Sequence, residues 1–277
     1  MKSSISAAAT LQIPSVKAIE LKHALATVVI VGFFNAEYLR IARAIQGQGL
    51  LESLYGTFGI SIIAWLAFAV AVNLALNAPS RPLSAFAGLV LGMSSLLILL
   101  PATALSSVGL TLLGLYCIVV RQEPAFRKIG YLVVALAAST LWSRLIFNFF
   151  STYILRFDAI LVATLVNTSH SGNLIQSWDG STTFQVGAAC SSFLNVSTAF
   201  LAWVTATAYY GARVTVRSIV FLALSCASII AINTIRIGLI AAMPQHFDLL
   251  HGPIGANVVN LASSLAVLFL TIAGTRR

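Results

Sequence analysis

Ser218-Ile-Val-Phe-Leu-Ala-Leu-Ser-Cys-Ala-Ser-Ile-Ile-Ala-Ile-Asn233-Thr-Ile-Arg236-Ile-Gly-Leu-Ile-Ala241 is a 24-residue run that carries one formal charge, Arg236. As an α-helix it is about 36 Å long, enough to cross a hydrocarbon core of about 30 Å. Similar apolar runs fall at roughly 24–43, 57–77, 82–100, 103–120, 129–149, 190–211 and 253–274. Composition agrees. The 277 residues are 59% hydrophobic and 8% charged, with a mean hydropathy of +0.96, more apolar surface than a soluble domain of this size can bury. The net charge of +9 does not indicate a nucleic-acid partner, because the 16 basic residues lie in short clusters between apolar runs rather than on one soluble face.

The expectation is therefore an all-α polytopic membrane protein of about eight transmembrane helices in a cell (inner) membrane. Residues 1–23, which lack the continuous apolar core of a signal peptide, read as a cytoplasmic tail, and helices one to five occupy 24–149. Lys2, Lys17, Lys22, Arg81, Arg121, Arg127, Lys128, Arg213, Arg217, Arg276 and Arg277 all fall on one side if eight spans are counted, which makes both termini cytoplasmic. The first span is the weakest, because Asn35, Glu37, Arg40 and Arg43 interrupt it, and Arg40 and Arg43 are exceptions to the charge rule.

That topology leaves the stretch from about 150 to 189 outside, before the sixth span. Ile154–Val166 is apolar but carries Arg156 and Asp158, and reads as an interfacial or partly inserted helix. Asn173–Trp178 and Ser181–Val186 flank Asp179-Gly180 and predict a small hairpin with a tight turn. It leads to Gly187-Ala-Ala-Cys190-Ser-Ser192, where Cys190 opens the sixth span. A thiol in the first turn of a helix meets the positive end of the macrodipole, which favours the thiolate. The competing reading is a packing cysteine, which also suits Cys117 and Cys226 inside their spans.

Polar groups on the later spans converge on the same face. Asn233 and Arg236, three apart, share one side of the seventh span, and a guanidinium there is a fixed cation for a carbonyl or a developing oxyanion. Snorkelling to the interface is the alternative for Arg236. The last outer loop holds His246 and His251 with Asp248 between them, and His251 is the better base because it borders the final span at the depth of Cys190 and Arg236. Solvation in the loop is the alternative for either histidine. No recurring spacing of His, Cys or carboxylates indicates a metal, no glycine-rich loop indicates a nucleotide, and no cofactor is expected.

Asn173, the Asp179-Gly180 turn, Gly187-Ala-Ala-Cys190-Ser, Asn233-x-x-Arg236-Ile and His251-x-x-x-Gly255 resemble, in order and spacing, the exosortase/archaeosortase family of membrane cysteine transpeptidases. The resemblance covers roughly 150–275. It implies a catalytic region at 150–277 that cuts exported surface proteins near a C-terminal sorting signal, of the Pro-Glu-Pro type or similar, followed by a transmembrane helix and a basic tail. It assigns Cys190 as nucleophile, His251 as acid and base, Arg236 as oxyanion stabiliser and Asn233 as a supporting residue. The partners implied are membrane-tethered substrates and the bilayer, with the site on the extracytoplasmic face. Ala188, and Ser192-Phe193-Leu194, depart from the family's usual acidic residue and Gly-Ile-Arg, which bears on the recognised motif more than on the chemistry. A small-solute transporter lined by Asn233 and Arg236, or a non-enzymatic assembly subunit, are the readings from other classes.

Overall fold

The structure, a computed structural model, describes residues 20–119 and 123–276. The expected tail over 1–19, with Lys2 and Lys17, lies outside the described residues, as do Arg121 and Arg277.

Each apolar run lies on a helix: α1 Leu21–Gln48, then, after the short α2 Leu50–Tyr55, α3 Ile62–Leu76, α4 Ala85–Leu99, α5 Thr103–Val119, α6 Pro124–Ala137, α7 Ser143–Val166, α8 Ser192–Tyr210 and α9 Val216–Ala242. The short α10, Phe247–His251, precedes α11, Pro253–Thr275. Four helical stretches are long and apolar enough to cross a membrane by length and composition: Leu21–Gln48, Pro124–Val166, Val216–Ala242 and Ile254–Thr275. The chain is predominantly α-helical, and its long apolar helices are those of a membrane-embedded protein. α3, α4 and α5 are shorter, at 15 to 17 residues, or about 22–26 Å.

Three of the polar residues that weaken the first run, Asn35, Glu37 and Arg40, find partners within the fold. The Asn35 amide donates to the Ile98 carbonyl and to Ser106 Oγ, the latter at 2.9 Å, and the buried Glu37 pairs with Arg40 at 3.3 Å. A polar group that is bonded in the interior avoids most of its desolvation cost. Between α5 and α6 the backbones touch: a Cβ on Gly130 would lie 2.6 Å from the Gly114 carbonyl oxygen, so only two glycines permit this spacing.

The helix expected over Ile154–Val166 is present, but as the end of a continuous helical stretch that begins at Pro124 and passes through a π turn at Ala138–Trp142. No glycine or proline occurs between 131 and 166, so nothing in the sequence breaks the helix, and the expected boundary at 149/150 falls inside it. Within the π turn the hydroxyls of Ser139 and Thr140 donate to the Leu136 carbonyl at 2.9 and 3.2 Å.

This helical stretch ends at Asn167 in a left-handed conformation, φ 57°, and the chain turns into a small antiparallel sheet. Its strands are β1 His170–Ser171, β2 Leu174–Gln176 and β3 Thr183–Gln185, in the order β1-β2-β3, with Leu174 opposite Gln185 and Ile175 opposite Phe184. The expected hairpin is present, with an additional strand before it. Its turn is wider than two residues. Ser177 N donates to Thr182 O at 2.8 Å, and the loop between them is organised by the Asp179 carboxylate, which accepts from Ser177 Oγ, Ser181 N and Ser181 Oγ. The Ser177 hydrogen bond above all, then the two from Ser181, hold the Asp179 carboxyl below the usual carboxylate range.

Candidate functional site around Cys190

The hairpin fixes where the thiol sits. Ile175 and Val186 are fully buried against Ala159 and Val162 of α7 and Ile237 and Ala241 of α9, and Cys190 packs on the edge of the same cluster. Trp178 N donates to Ala241 O at 3.0 Å, while the Asn173 amide donates to Val186 O at 2.9 Å. The strand thus delivers the chain to a single 3-10 turn, Ala188–Cys190.

Cys190 is placed one step earlier than expected. It precedes Ser191, the N-cap of α8, whose hydroxyl accepts from Phe193 N, so the thiol stands just outside the first helical turn rather than in it. The positive end of α8 is already engaged. Asp158, 2% exposed, accepts from Ser191 Oγ at 2.8 Å, Ser192 Oγ at 2.6 Å and Ser192 N at 3.3 Å. Asp158, not the thiol, thus occupies the positive end of α8, and Cys190 faces a different polar neighbour.

That neighbour is His251. Its Nε2 lies 3.6 Å from Cys190 Sγ, across 61 residues of sequence, within the reach of a nucleophile and base before substrate binds. Of the two loop histidines, His251 is the one whose ring meets the thiol, whereas His246 lies in the preceding turn, Pro244–His246. The imidazole is stacked on the Phe247 ring, centroids 4.8 Å apart and planes 12° from parallel, one helical turn earlier in α10. No carboxylate orients the imidazole among the described residues; the Phe247 stack and the backbone of α10 do so.

Arg236 holds that backbone. Its Nε donates to Leu250 O at 3.0 Å and its Nη2 to His251 O at 3.1 Å, so a guanidinium on α9 caps the open carbonyl end of the five-residue α10. Gly255 completes the arrangement: a Cβ there would collide with Leu250 O, the same oxygen that Arg236 binds. Asn233, buried beside it on α9, donates from Nδ2 to the Cys190 carbonyl at 2.7 Å. One face of α9 therefore grips both halves of the site, Asn233 the thiol-bearing turn and Arg236 the imidazole-bearing turn. The guanidinium is neither adrift at the surface nor wholly free for a ligand. Its Nη1 is not taken up by either carbonyl.

All four expected residues, Cys190, Asn233, Arg236 and His251, are brought together. Asp158 is the residue that sequence reading missed. Its signal was present, a lone carboxylate in an apolar run, of the same kind that singles out Arg236. Cys117 and Cys226 lie within α5 and α9 and have no part in the site. No cluster of three or more His, Cys, Asp or Glu side chains converges as a metal site among the described residues.

The site's depth follows from helix lengths. α8 runs 19 residues, about 28 Å, from Ser192 to Tyr210, and the next residue, Gly211, sits beside the Lys128 ammonium. At that same far end Arg81 pairs with Glu123 at 3.0 Å, and Leu21 N donates to Arg81 O. The thiol and imidazole are thus about one hydrocarbon thickness from the basic end. Comparison with protein-family models, with curated proteins and with solved structures finds no match to this chain.

Proposed function

We propose that this chain is a membrane-embedded cysteine peptidase or transpeptidase of the exosortase type. The observation that carries the reading is the 3.6 Å approach of Cys190 Sγ to His251 Nε2, two groups from distant segments held by separate hydrogen bonds from Asn233 and Arg236. In this reaction the unprotonated Nε2 takes the thiol proton, and the sulfur attacks the carbonyl carbon of a substrate peptide. The tetrahedral intermediate collapses as the imidazolium returns that proton to the leaving amine, leaving a thioester on Cys190. An amine acceptor or water then releases the acyl group by the same steps. Arg236 serves the chemistry in two ways, by fixing the main chain of His251 and by offering Nη1 to the developing oxyanion.

The topology that accompanies this reading has eight spans, cytoplasmic termini and an extracytoplasmic site. Its support is the segregation of Lys22, Arg81, Lys128 and Arg217 to one end of the helices while Cys190, Arg236 and His251 occupy the other. A substrate tethered by its own transmembrane helix would reach the thiol at a fixed depth, which lowers the entropic cost of the encounter.

The test is Cys190→Ala in cells that carry the native surface proteins. Accumulation of uncleaved, membrane-anchored precursor is the expected result, with His251→Ala giving the same phenotype. Undiminished processing by a stably inserted Cys190→Ala protein would overturn the proposal.

A further inference from the structure

The basic end of the molecule, remote from Cys190, contains an open cavity of about 640 Å³ between the α8–α9 connection and the end of α11. That volume lies within the range of small-ligand sites. Arg213, Arg217 and Arg276 line it together with Thr215 and Thr275, and no lining residue carries a carboxylate. Among the described residues none of the three arginines has an ion-pair partner, in contrast to Arg81 at the same end, which is neutralised by Glu123.

Three guanidinia facing one cavity repel one another, and basic residues that merely set topology need not converge. Here one of the three, Arg217, is held in place. Arg217 is anchored by a hydrogen bond from Nη2 to the Ala273 carbonyl at 2.9 Å, and its guanidinium carbon lies 5.7 Å from the centroid of the Phe221 ring. Above the cavity α9 and α11 are in tight contact, since a Cβ on Gly274 would lie 2.5 Å from Phe221 Cβ. Arg217 also stands in the first turn of α9, where the positive end of the macrodipole disfavours a cation. The carbonyl end of α11 offsets only about half a unit charge, so the cavity retains a large positive surplus. The Thr215 oxygen accepts from Ser218 N, which leaves its hydroxyl proton available as a donor.

We propose that this cavity binds a phosphate group, carried either by an anionic phospholipid of the adjoining leaflet or by a soluble phosphate compound. Arg213, Arg217 and Arg276 are its cationic ligands and Thr215 is a hydroxyl donor. Forked guanidinia match phosphate oxygens in pairs, and the position at the helix ends is headgroup depth.

The test is native mass spectrometry of the full chain in neutral detergent, titrated separately with phosphatidylglycerol, phosphatidylcholine and inorganic phosphate. The expected result is one saturable phosphatidylglycerol adduct, at least about tenfold tighter than any phosphatidylcholine adduct and weakened by salt. Arg213→Gln with Arg276→Gln reduces it about tenfold or more, whereas the paired lysine variant, which keeps the charge, stays within about threefold of wild type. If inorganic phosphate binds equally well and displaces the lipid, the ligand is soluble; if it fails to compete, the ligand is the lipid; either outcome supports a phosphate site. Equal binding of both lipids with no phosphate adduct, or adducts unchanged in the glutamine variant, overturns it. Cys190→Ala leaves the binding unaltered, so this inference stands or falls apart from the peptidase reading.

Discussion

The most incisive perturbation of the site touches neither Cys190 nor His251. Gly255→Ala adds one methyl group at the start of α11, directly against the Leu250 carbonyl oxygen, closer than any real Cβ contact. Restoring van der Waals contact requires a displacement of roughly 1 Å, and the oxygen that must move is the acceptor of Arg236 Nε at 3.0 Å. That charge-assisted hydrogen bond, of order 1.5–3 kcal/mol, is weakened or lost, and overpacking of this kind costs about 1–3 kcal/mol of stability. The next residue is His251. A shift of about 1 Å takes its Nε2 out of reach of Cys190 Sγ, and misplacement on that scale lowers rates about a hundredfold. The assay is iodoacetamide labelling of the intact protein, followed residue by residue by mass spectrometry, with Cys117 and Cys226 as internal references, alongside precursor processing. Gly92→Ala on α4, where an added methyl group meets nothing within 4 Å, is the control and should behave as wild type. A folded Gly255→Ala protein whose Cys190 reacts at the wild-type rate would refute the argument that the Arg236–Leu250 contact positions the imidazole.

Other perturbations follow the same contacts. Asp158→Asn keeps the shape of the residue that clasps Ser191 and Ser192 but removes its charge, so stability falls by about 1–2 kcal/mol in chemical denaturation while Cys190 labels faster; slower labelling would contradict the electrostatic account. Gly130→Val drives a side chain into the Gly114 carbonyl and should abolish assembly of the α5–α6 pair, seen as loss of monodisperse protein in detergent. The Asp179 carboxyl is held low by hydrogen bonds, so its contribution is complete above the ordinary aspartate pKa of about 4 and disappears as pH falls through its lower folded value; Trp178 fluorescence should report loosening of the loop only in that acid window, and the transition should vanish in Asp179→Asn.

The site's local chemistry gives these predictions a common form. His251 is oriented by an aromatic stack and by a guanidinium on its main chain, so the geometry depends on backbone position rather than on a titrating third group. Substitutions that leave all side-chain functional groups in place, such as Gly255→Ala, therefore carry as much weight as substitutions of Cys190 or His251.

The sequence by itself determined the solvent and the inventory. An uninterrupted apolar run admits only a helix in a bilayer, because every backbone group must find its partner within the segment, so α9 and α11 are legible without coordinates. A charge or thiol that breaks such a run is visible for the same reason, and Cys190, Arg236 and His251 stand out together with Asp158, whose meaning was not recognised. The hairpin was readable from alternation around Asp179-Gly180. What only the tertiary structure decided was who holds whom: that Arg236 reaches main-chain oxygens of Leu250 and His251, that Asn233 bonds the Cys190 carbonyl, and that Asp158 occupies the start of α8. The continuity of Pro124–Val166 belongs here too, since the charges at Arg156 and Asp158 suggested a break that the backbone had no reason to make. Hydropathy reports how each segment partitions between water and lipid, a property of composition. Hydrogen bonds between segments depend on the angles and offsets at which helices pack, which arise only when all of them are assembled.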